Sequence, residues 1–439
     1  MSDWTTGTLA DTIASLDAGV SVNAEDRPHG AGEIGVLKTS AISGGAFLTE
    51  QNKTVLLHEC RLVAEPVQAD SILVSRMNTP VLVGESCYVG EAHPTLFLPD
   101  RLWQLKPRDR AQLSMRWLSF VLQSADYRRY VEVHATGTSG SMKNLPKSKL
   151  LAFPVHYPAP AEQSVIVKIL DTLDTAIRQT EALIEKLKAV KQGLLHDLLT
   201  RGIDSNGQLR PPQSEAPQLY KESPLGWIPR EWQCTDLAKR LARITYGFTS
   251  PMPTTNEGPW MLTATDVLES RILYEQARHT TERAFRLLSA KSRPNVGDVL
   301  VTKDGTLGRV AVLDRDDVCV NQSVAVLSPK AGADSSYLAT YLQSPIGQER
   351  MLADSGGSTI KHLYISKLAE MSTPWPEEHE MDAIVSRISS MTARLENEES
   401  SLSKLNRQKS GLMDDLLTGR VRVTPLLESM QPYAAPTEA

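Results

Sequence analysis

Three glycines near the N-terminus are spaced as in a dinucleotide-binding loop. Gly30, Gly32 and Gly35 form the pattern G-x-G-x-x-G. In nucleotide-binding proteins this loop follows a strand and opens a helix, whose N-terminus then meets the pyrophosphate. Here a polar stretch precedes the glycines, and the strand-like pair Val36 and Leu37 follows them. Because the order of elements is wrong, the sequence predicts no nucleotide cofactor at this loop.

Other patterns that would carry chemistry are missing or incomplete. The sequence has no G-x-x-x-x-G-K-[ST] loop for ATP and no Asn/Asp-Pro-Pro-aromatic tetrapeptide, which amino-group DNA methyltransferases use to hold a flipped base. His379 lacks partners at metal-ligand spacing, and Asp298 with Lys303 falls short of the clustered acids of a nuclease. The sequence therefore predicts a binding protein with no catalytic site, metal or cofactor of its own.

The cysteines and the N-terminus indicate a compartment. Cys60, Cys87, Cys234 and Cys319 are scattered, with neither C-x-x-C nor zinc-ligand spacing. The first residues lack the basic start and apolar core of a signal peptide. No apolar run approaches the roughly 18 residues that a membrane span requires. We therefore expect a reduced, cytoplasmic protein without membrane association.

Charge is distributed unevenly along the chain. The formal net charge is −5, but residues 101–149 carry ten Lys or Arg against three acids, and residues 271–310 carry eight against four. Residues 1–100 hold thirteen acids and five bases. Because phosphates attract local basic patches, the total charge does not exclude nucleic acid. Ordinary solvated surface is the alternative interpretation of these stretches.

The second half of the sequence repeats the first. Shifted by 218 positions, residues 143–200 align without a gap with residues 361–418, and 19 of 58 positions are identical. Upstream the similarity is weaker, as in the pair Trp4 and Trp232. A repeat of this kind indicates two structural units built on one plan. Because the ends match better than the globular parts, we infer that the ends share a function and that the globular parts bind different targets.

Each repeat ends in a heptad pattern. Apolar residues recur in steps of four and three, as in a coiled-coil seam. The predicted seam consists of Ile166, Leu170, Leu173, Ile177, Ile184, Leu187, Leu194 and Leu198 in the first copy, and of Ile384, Ile388, Met391, Leu395, Leu402, Leu405, Leu412 and Leu416 in the second. Polar residues interrupt both seams at the same two steps (Thr180 and Glu398, Lys191 and Lys409), which favours mutual pairing in a fixed register. Two separate amphipathic helices, each packed on its own domain, remain the alternative.

The segments before the two helices alternate β-rich runs with turns. Examples are residues 54–57, 81–84 and 308–313, with a helical pattern over 113–122. We predict an α+β fold, in which two α+β domains are separated by two long antiparallel coiled-coil helices in a pseudo-twofold internal repeat. The predicted divisions are a first domain at 1–157, a first long helix at 158–202, a linker at 203–228, a second domain at 229–375, a second long helix at 376–420 and a tail at 421–439.

Four segments of the second half carry a resemblance to a known family. They are Ser-Pro-Leu-Gly-Trp-Ile-Pro at 223–229, Gly-Asp-Val-Leu-Val-Thr-Lys-Asp-Gly at 297–305, Gly-Gly-Ser-Thr-Ile-Lys-His-Leu at 356–363 and Asp-Leu-Leu-Thr-Gly-Arg-Val-Arg-Val at 415–423. Together with the duplicated layout, they resemble the specificity subunits of type I restriction–modification systems over the whole chain. The first half departs from the pattern, since Met77 and Asn78 stand where Asp304 and Gly305 do.

The resemblance implies a non-catalytic subunit that gives a restriction–modification complex its DNA sequence specificity. Two target-recognition domains would each read one half of a split, asymmetric double-stranded DNA site. Two copies of a methyltransferase (modification) subunit would dock on the chain and methylate adenine, and restriction subunits would add ATP-driven translocation and cleavage. S-adenosylmethionine and ATP are therefore expected on the partner subunits only.

Candidate DNA contacts follow from the side chains that read base edges and phosphates. In the first domain they are Thr39, Ser40, Arg76, Asn78, Lys143 and Asn144. In the second they are Tyr246, Thr249, Ser250, Thr265, Lys303, Lys361 and His362. The alternative for each is a solvated turn residue, and Gly247, Gly305 and Gly357 are interpreted as turn formers.

Two other classes of protein share parts of this pattern. A complete DNA methyltransferase or nuclease is disfavoured by the missing motifs, and methyl transfer by the purified chain would revive it. A coiled-coil adaptor that never touches DNA would share the helices but would not need two diverged basic domains. Failure to bind any duplex in the presence of the methyltransferase partner would favour the adaptor.

Overall fold

The computed structural model describes residues 4–137, 141–330, 334–353 and 362–430. The chain divides into two compact units, one made of Met1–Glu181 with Ser401–Ala439 and the other of Ala182–Ser400. Both boundaries fall inside a long helix, so each unit contains one half of each long helix.

The first unit contains fifteen described strands and most of the short helices of the first repeat. The strands are β1 (Thr5–Thr8), β2 (Ile13–Ala18), β3 (Ala24–Glu25), β4 (Gly35–Leu37), β5 (Ile42–Ser43), β6 (Ala46–Phe47), β7 (Asn52–Val55), β8 (Pro66–Val67), β9 (Ser71–Ser75), β10 (Met77–Asn78), β11 (Ser86–Val89), β12 (His93–Phe97), β13 (Leu102–Pro107), β14 (Lys143–Asn144) and β15 (Pro154–Tyr157). The helices are α1 (Leu9–Thr12), α2 (Met115–Val121), α3 (Ala125–His134), α4 (Lys147–Leu151) and the first half of α5 (Pro160–Thr200).

Two sheets organise the first unit. One is antiparallel in the order β11-β9-β13-β2, and the other has five strands in the order β3-β7-β4-β12-β8 with β4 and β12 parallel. Helix α2 packs on β9 and β11 of the first sheet, and α3 binds the turn at residues 80–84. Serines at the N-caps of the two helices, Ser114 and Ser124, accept hydrogen bonds from the first helical turn. Trp117 and Phe120 of α2 are fully buried in the core beneath.

The second unit repeats this plan with fewer strands. Its strands are β16 (Tyr220–Ser223), β17 (Gly226–Pro229), β18 (Gln233–Asp236), β19 (Leu241–Tyr246), β20 (Thr255–Leu262), β21 (Arg278–His279), β22 (Val299–Thr302), β23 (Val310–Val312), β24 (Val318–Val320), β25 (Val324–Pro329) and β26 (Ser372–Trp375). Its helices are α6 (Leu237–Arg240), α7 (Glu282–Leu287), α8 (Ser335–Gln343), α9 (Pro345–Leu352), α10 (Ile365–Glu370) and the first half of α11 (Glu378–Leu417), while α12 (Thr424–Met430) follows α11 in the first unit.

The four-stranded sheets of the two units correspond strand by strand. The order β23-β22-β25-β19 reproduces β11-β9-β13-β2, and the parallel pair β20 and β24 reproduces β4 and β12. The pair β18 and β26 matches the pair β1 and β15. In each unit the strand at the start of the domain pairs with the strand that precedes a long helix. The predicted α+β fold with an internal repeat is confirmed.

The two long helices have 41 and 40 residues, which corresponds to about 60 Å each at 1.5 Å per residue. Pro160 is the first residue of α5, where a missing backbone N–H costs no hydrogen bond. Shortly after the helices end, Gly202 and Gly419 adopt positive φ angles of 64° and 71°. Glycine tolerates this left-handed conformation, which stops a helix, so the sequence itself fixes where both helices end.

In each unit the two long helices pair in antiparallel fashion. In the first unit Leu170 of α5 shares a buried cluster with Leu416 of α11, and in the second unit Leu198 shares one with Ile384. All sixteen predicted seam side chains are buried or half-buried. The fully buried ones are Ile166, Leu170, Ile177, Ile184, Leu187, Leu198, Ile384, Ile388 and Leu416. Near the helix ends the apolar stripe widens to include Leu195, Leu199, Met413 and Leu417, because these turns also pack against the domains.

Two local features differ from expectation. Residues 81–84, predicted as a strand, form a turn that ends at Gly84 with a φ of 78°, and the side chain of Val81 is 77% exposed. The predicted linker at 203–228 contains the hairpin of β16 and β17 and buries Ile203 and Ile228 in the core of the second unit. Its polar composition concealed these two apolar anchors. Among the described residues, no helix is long and apolar enough to cross a membrane.

Candidate nucleic-acid interface

A hydrogen-bonded corner lies at the end of the central strand β9 in the first unit. Arg76 follows this strand, and β10 then pairs with β14, so that Met77 faces Asn144 and Asn78 faces Lys143. The backbone N–H of Leu145 donates to the carbonyl oxygen of Arg76 at 2.9 Å. The fold thus brings together four of the six candidate contacts of this domain, although nearly 70 residues separate the two strands.

The side chains at this corner have defined partners. Arg76 Nε donates to Asn144 Oδ1 at 3.3 Å, and its guanidinium carbon lies 5.6 Å from the ring centroid of Trp103. Asn78 Nδ2 donates to Ser75 Oγ at 3.2 Å, and Lys143 Nζ donates to a backbone carbonyl oxygen at 3.2 Å. All four candidate side chains are half-buried, which holds their orientation and leaves polar edges in reach of solvent.

The other two candidates of the first domain lie on a separate element. Thr39 and Ser40 form a 3-10 turn between β4 and β5, and Ser40 Oγ donates to Gln51 Oε1 at 2.9 Å. This turn belongs to the five-stranded sheet rather than to the corner at Arg76. Sequence reasoning grouped these residues by type, and the topology assigns them to different sheets.

The second unit builds the same corner from different side chains. Lys303 follows β22 as Arg76 follows β9, and Asp304 forms a backbone bridge with His362 as Met77 does with Asn144. The N–H of Leu363 donates to the carbonyl oxygen of Lys303 at 2.9 Å, the same bond that Leu145 makes to Arg76. The backbone contacts of the corner are therefore the same in both units, but the side chains that the corner carries differ.

Charged side chains at the second corner bind one another. Asp304 Oδ2 accepts from Lys303 Nζ at 2.5 Å, and Asp304 Oδ1 lies 2.6 Å from His362 Nδ1. Burial acts to raise the pKa of Asp304, but the hydrogen bonds from Lys303 and His362 prevail and lower it below its usual value. The Lys303 ammonium also lies 5.5 Å from the ring centroid of Tyr246, whose side chain is exposed. Tyr246, Lys303 and His362 are thus brought together.

Three further candidates adjoin the same corner through a turn at residues 321–323. Ser323 accepts from the N–H of Lys303 through its carbonyl oxygen and from the N–H of Ala264, next to Thr265, through its hydroxyl. Gln322 donates its N–H to the carbonyl oxygen of Phe248, just before Thr249 and Ser250. Lys361, the remaining candidate, lies outside the described residues.

The structure adds residues that sequence reasoning missed. Gln322 has an exposed side chain at the second corner, and Arg101 has an exposed side chain beside the first, where its carbonyl oxygen accepts from the N–H of Arg76. Arg101 and Ser323 occupy equivalent places in the two repeats. The sequence contained a signal for this, because residues 96–107 align weakly with residues 318–329. This alignment places Arg101 opposite Ser323.

The basic stretch at 101–149 forms no single patch. Five of its ten cations bind carboxylates, and they are Lys106, Arg110, Arg116, Arg128 and Arg129. A sum of charge along the sequence therefore overstates the positive potential of this stretch, because the fold supplies acids from other segments to three of these cations, Lys106, Arg110 and Arg116. Within the described part of the chain, no group of three or more His, Cys, Asp or Glu side chains is placed to hold a metal ion. The two corners can offer hydrogen bonds and charge to a ligand.

Comparison with known proteins gives a family and a fold. The family model described as "Type I restriction modification DNA specificity domain" matches residues 1–189 and 265–407. A protein of Methanocaldococcus jannaschii, provisionally named as the specificity subunit of the type I restriction enzyme MjaX, is 22% identical over 80% of this chain and 78% of its own length. The specificity subunit of the Escherichia coli enzyme EcoBI is 22% identical over 66% of this chain and 62% of its own length.

Solved structures agree in fold. The crystal structure of the S subunit of a type I restriction–modification system from M. genitalium superposes with a TM-score of 0.55 at 14% identity, covering 94% of this chain and 96% of that one. A second structure, from work on complex assembly and conformational transition of the type I system, gives a TM-score of 0.54 at 14% identity over 95% of this chain and 98% of that chain. At this identity the likeness shows the fold alone.

Proposed function

Since this chain belongs to the family of type I restriction–modification specificity subunits, we propose that it recognises a bipartite, asymmetric DNA site and scaffolds the subunits that act on it. Members of this family are non-catalytic DNA-recognition components. In this proposal residues 1–157 read one half of the site and residues 229–375 read the other, with the two long helices as the spacer between them. The bases between the two half-sites are not read.

One observation carries the proposal. The same backbone corner occurs in both domains, with the same bonds from Leu145 to Arg76 and from Leu363 to Lys303. The side chains it presents differ, with an arginine and an asparagine in one and a lysine, an aspartate and a histidine in the other. Two domains that recognise different base sequences need the same backbone geometry with different polar side chains. The reason is that sequence specificity depends on the pattern of donors and acceptors on the base edges.

The candidate contacts divide by chemistry. Arg76 and Lys303 are cations suited to guanine or to phosphate, and Asn78 and Asn144 carry amides that match adenine. Tyr246, Thr249, Ser250 and Thr265 surround the second corner and supply hydroxyl groups for base or phosphate oxygens. Thr39 and Ser40 stay in the proposal as contacts from a second element of the first reader, and Lys361 as a contact from the segment before His362.

The repeat also suggests how partner subunits bind. A cavity of about 1520 Å³ in the first unit is lined in part by Leu417 and Thr418 at the end of α11, and one of about 490 Å³ in the second unit by Leu199 and Thr200 at the end of α5. These residue pairs are equivalent under the 218-residue shift. Two repeated surfaces fit two copies of a modification subunit, which would bring S-adenosylmethionine, while restriction subunits would bring ATP. The complex would act in the cytoplasm.

Domain exchange tests the proposal. We would replace residues 1–157 with the matching domain of a relative and, separately, residues 229–375, and then sequence the methylome of cells that carry the modification subunit. The first exchange should change one half of the methylated site, and the second should change the other half. If either exchange altered both halves, or if the assembled complex bound no duplex, the two-reader assignment would be wrong and an adaptor role would take its place.

A further inference from the structure

The carboxylate of Asp304 holds two side chains of the second corner, one on each oxygen. Lys303 Nζ donates to Oδ2 at 2.5 Å, and His362 Nδ1 lies 2.6 Å from Oδ1. The backbone supports this geometry, because Asp304 and His362 form a bridge and Leu363 binds the carbonyl oxygen of Lys303. In the proposed function this corner faces DNA, where the Asp304 carboxylate repels phosphate and so does not add to nonspecific affinity.

These contacts fix which nitrogen of His362 carries the proton. The lowered pKa of Asp304 keeps its carboxylate ionised at neutral pH, and an ionised carboxylate can only accept hydrogen bonds. Nδ1 of His362 must therefore donate, and in the neutral ring Nε2 is then an acceptor.

Exposure increases outward from the lysine to the histidine. The side chains of Lys303, Asp304 and His362 are 17%, 24% and 44% exposed, respectively. Gly305 follows with a φ of 80° and has open space where a side chain would lie. His362 is thus the member of this cluster that a ligand can reach first, while Asp304 lies behind it and orients it.

We infer that Asp304 is a positioning residue that sets the tautomer of His362, so that the second reader presents an acceptor and recognises an exocyclic amino group in the major groove. This inference rests on the proposed function and deepens it. In the major groove only adenine N6 and cytosine N4 offer an amino group, whereas guanine O6 and thymine O4 are acceptors. One position of the second half-site should therefore be adenine or cytosine on the strand that His362 contacts.

The substitution Asp304→Asn reverses this preference in a defined way. The Lys303 ammonium can only donate, so it takes the carbonyl oxygen of the new amide. The amide NH₂ then faces His362 Nδ1, which has to accept, and the ring proton moves to Nε2. A ring with a donor at Nε2 binds an acceptor at the same position, which guanine (O6 and N7), thymine (O4) and adenine (N7) offer and cytosine does not. A purely structural role for Asp304 would weaken binding without such a switch.

The experiment uses the full chain assembled with its modification subunits and a pool of duplexes randomised at every position of the methylated site. His362→Ala should reduce the preference at one position of the second half-site by about tenfold or more. Asp304→Asn should admit guanine and thymine at that position and exclude cytosine. Asp236→Asn is the matched control, because this exposed aspartate pairs with Lys239 at the far end of β19 from Tyr246, and it should leave the site unchanged.

Binding selection reads base preference even where methylation is lost. The inference is overturned if His362→Ala leaves every preference intact, if the affected position is guanine or thymine in the original protein, or if Asp304→Asn weakens binding without admitting guanine or thymine at that position. The domain exchange distinguishes failure of the proposed function from failure of this inference alone. If exchange of residues 229–375 leaves the second half-site unchanged, the proposed function fails, and if it moves the half-site while His362→Ala has no effect, only this inference fails.

Discussion

Arg210 contacts both carboxylate oxygens of Glu380, at 2.5 Å from Oε1 and 3.1 Å from Oε2, although 170 residues separate the two. Their side chains are 9% and 4% exposed. Trp232 Nε1 also donates to Oε2 at 3.0 Å, and the N–H of Ile203 donates to Oε1 at 2.7 Å. Glu380 lies in the first turn of α11, so the chain that follows the end of α5 is bound to the start of α11.

The first unit contains the equivalent contact. Glu162, which is 218 residues before Glu380, binds Arg422 through both oxygens at 3.0 and 3.1 Å and accepts from Thr424 Oγ1 at 2.8 Å. Here the arginine is 35% exposed. Trp4 stands where Trp232 does in the repeat, but its buried Nε1 has no hydrogen-bond partner among the described residues. We call these two contacts, Glu380 with Arg210 and Glu162 with Arg422, the anchors. They occupy equivalent places in the repeat and differ in how deeply the arginine is buried.

The buried anchor should be the more sensitive to loss of its carboxylate. Glu380→Gln leaves the buried Arg210 with only the exposed carboxylate of Glu231, 3.8 Å away, as counter-charge. We therefore expect the free energy of unfolding of the second unit to fall by about 3 kcal/mol. Glu162→Gln should cost less, because water reaches Arg422. Calorimetric unfolding of the two full-length variants would test this. Equal losses, or a larger loss for Glu162→Gln, would contradict the ranking.

The two tryptophans should respond differently to the same change. Trp232→Phe removes a hydrogen bond to a charged group and should cost about 2 kcal/mol. Trp4→Phe removes a buried N–H for which the described residues offer no partner. The variant no longer carries the cost of burying this unpaired group, which should offset the packing that is lost and leave stability nearly unchanged. Denaturant midpoints of both variants provide the measurement. A Trp4→Phe variant as unstable as Trp232→Phe would show that Trp4 Nε1 is bonded in solution.

Asp174 joins three elements of the first unit. It accepts from Lys409 of α11 at 2.5 Å and from Arg116 of α2 at 2.9 Å, and all three side chains are at most 20% exposed. Asp174→Ala leaves Lys409 without its counter-ion inside the helix pair, and we expect a loss of about 2 kcal/mol. Lys409→Met should be tolerated, because Asp174 keeps Arg116 and methionine fits a seam position. Thermal unfolding of both variants would decide, and a more harmful Lys409→Met would refute this account.

DNA binding by the first target-recognition domain should depend on Arg76 and not on Arg110. Arg76→Ala removes a side chain held by Asn144 and Trp103 and should weaken binding of the first half-site about tenfold or more. Arg110→Ala removes the same charge beside Asp70, at the opposite end of β9, and should leave binding unchanged. Affinity of the assembled complex for its methylated site, measured at fixed salt, checks both. Equal losses would indicate nonspecific charge in place of a reading contact.

The repeat, the heptad seams and the α+β class could be predicted from the sequence because each rests on a local periodicity. A coiled-coil seam depends on steps of three and four residues, and Leu170, Leu198, Ile384 and Leu416 pack as their spacing requires. The glycines that end both helices are equally local signals. The strand predicted at 81–84 was wrong for a related reason, since apolar content alone does not separate a strand from a turn that exposes apolar side chains.

Only the tertiary structure decided which polar residues meet. The sequence placed Arg76, Asn144, Lys303 and His362 among the candidates by side-chain type, and it gave no sign that Asp304 would bind His362, 58 residues later. The same holds for the basic stretch, where acids from other segments bind Lys106, Arg110 and Arg116. A contact between distant residues depends on the path of the chain between them. The path follows from how all the apolar faces pack together, which no single stretch of sequence contains.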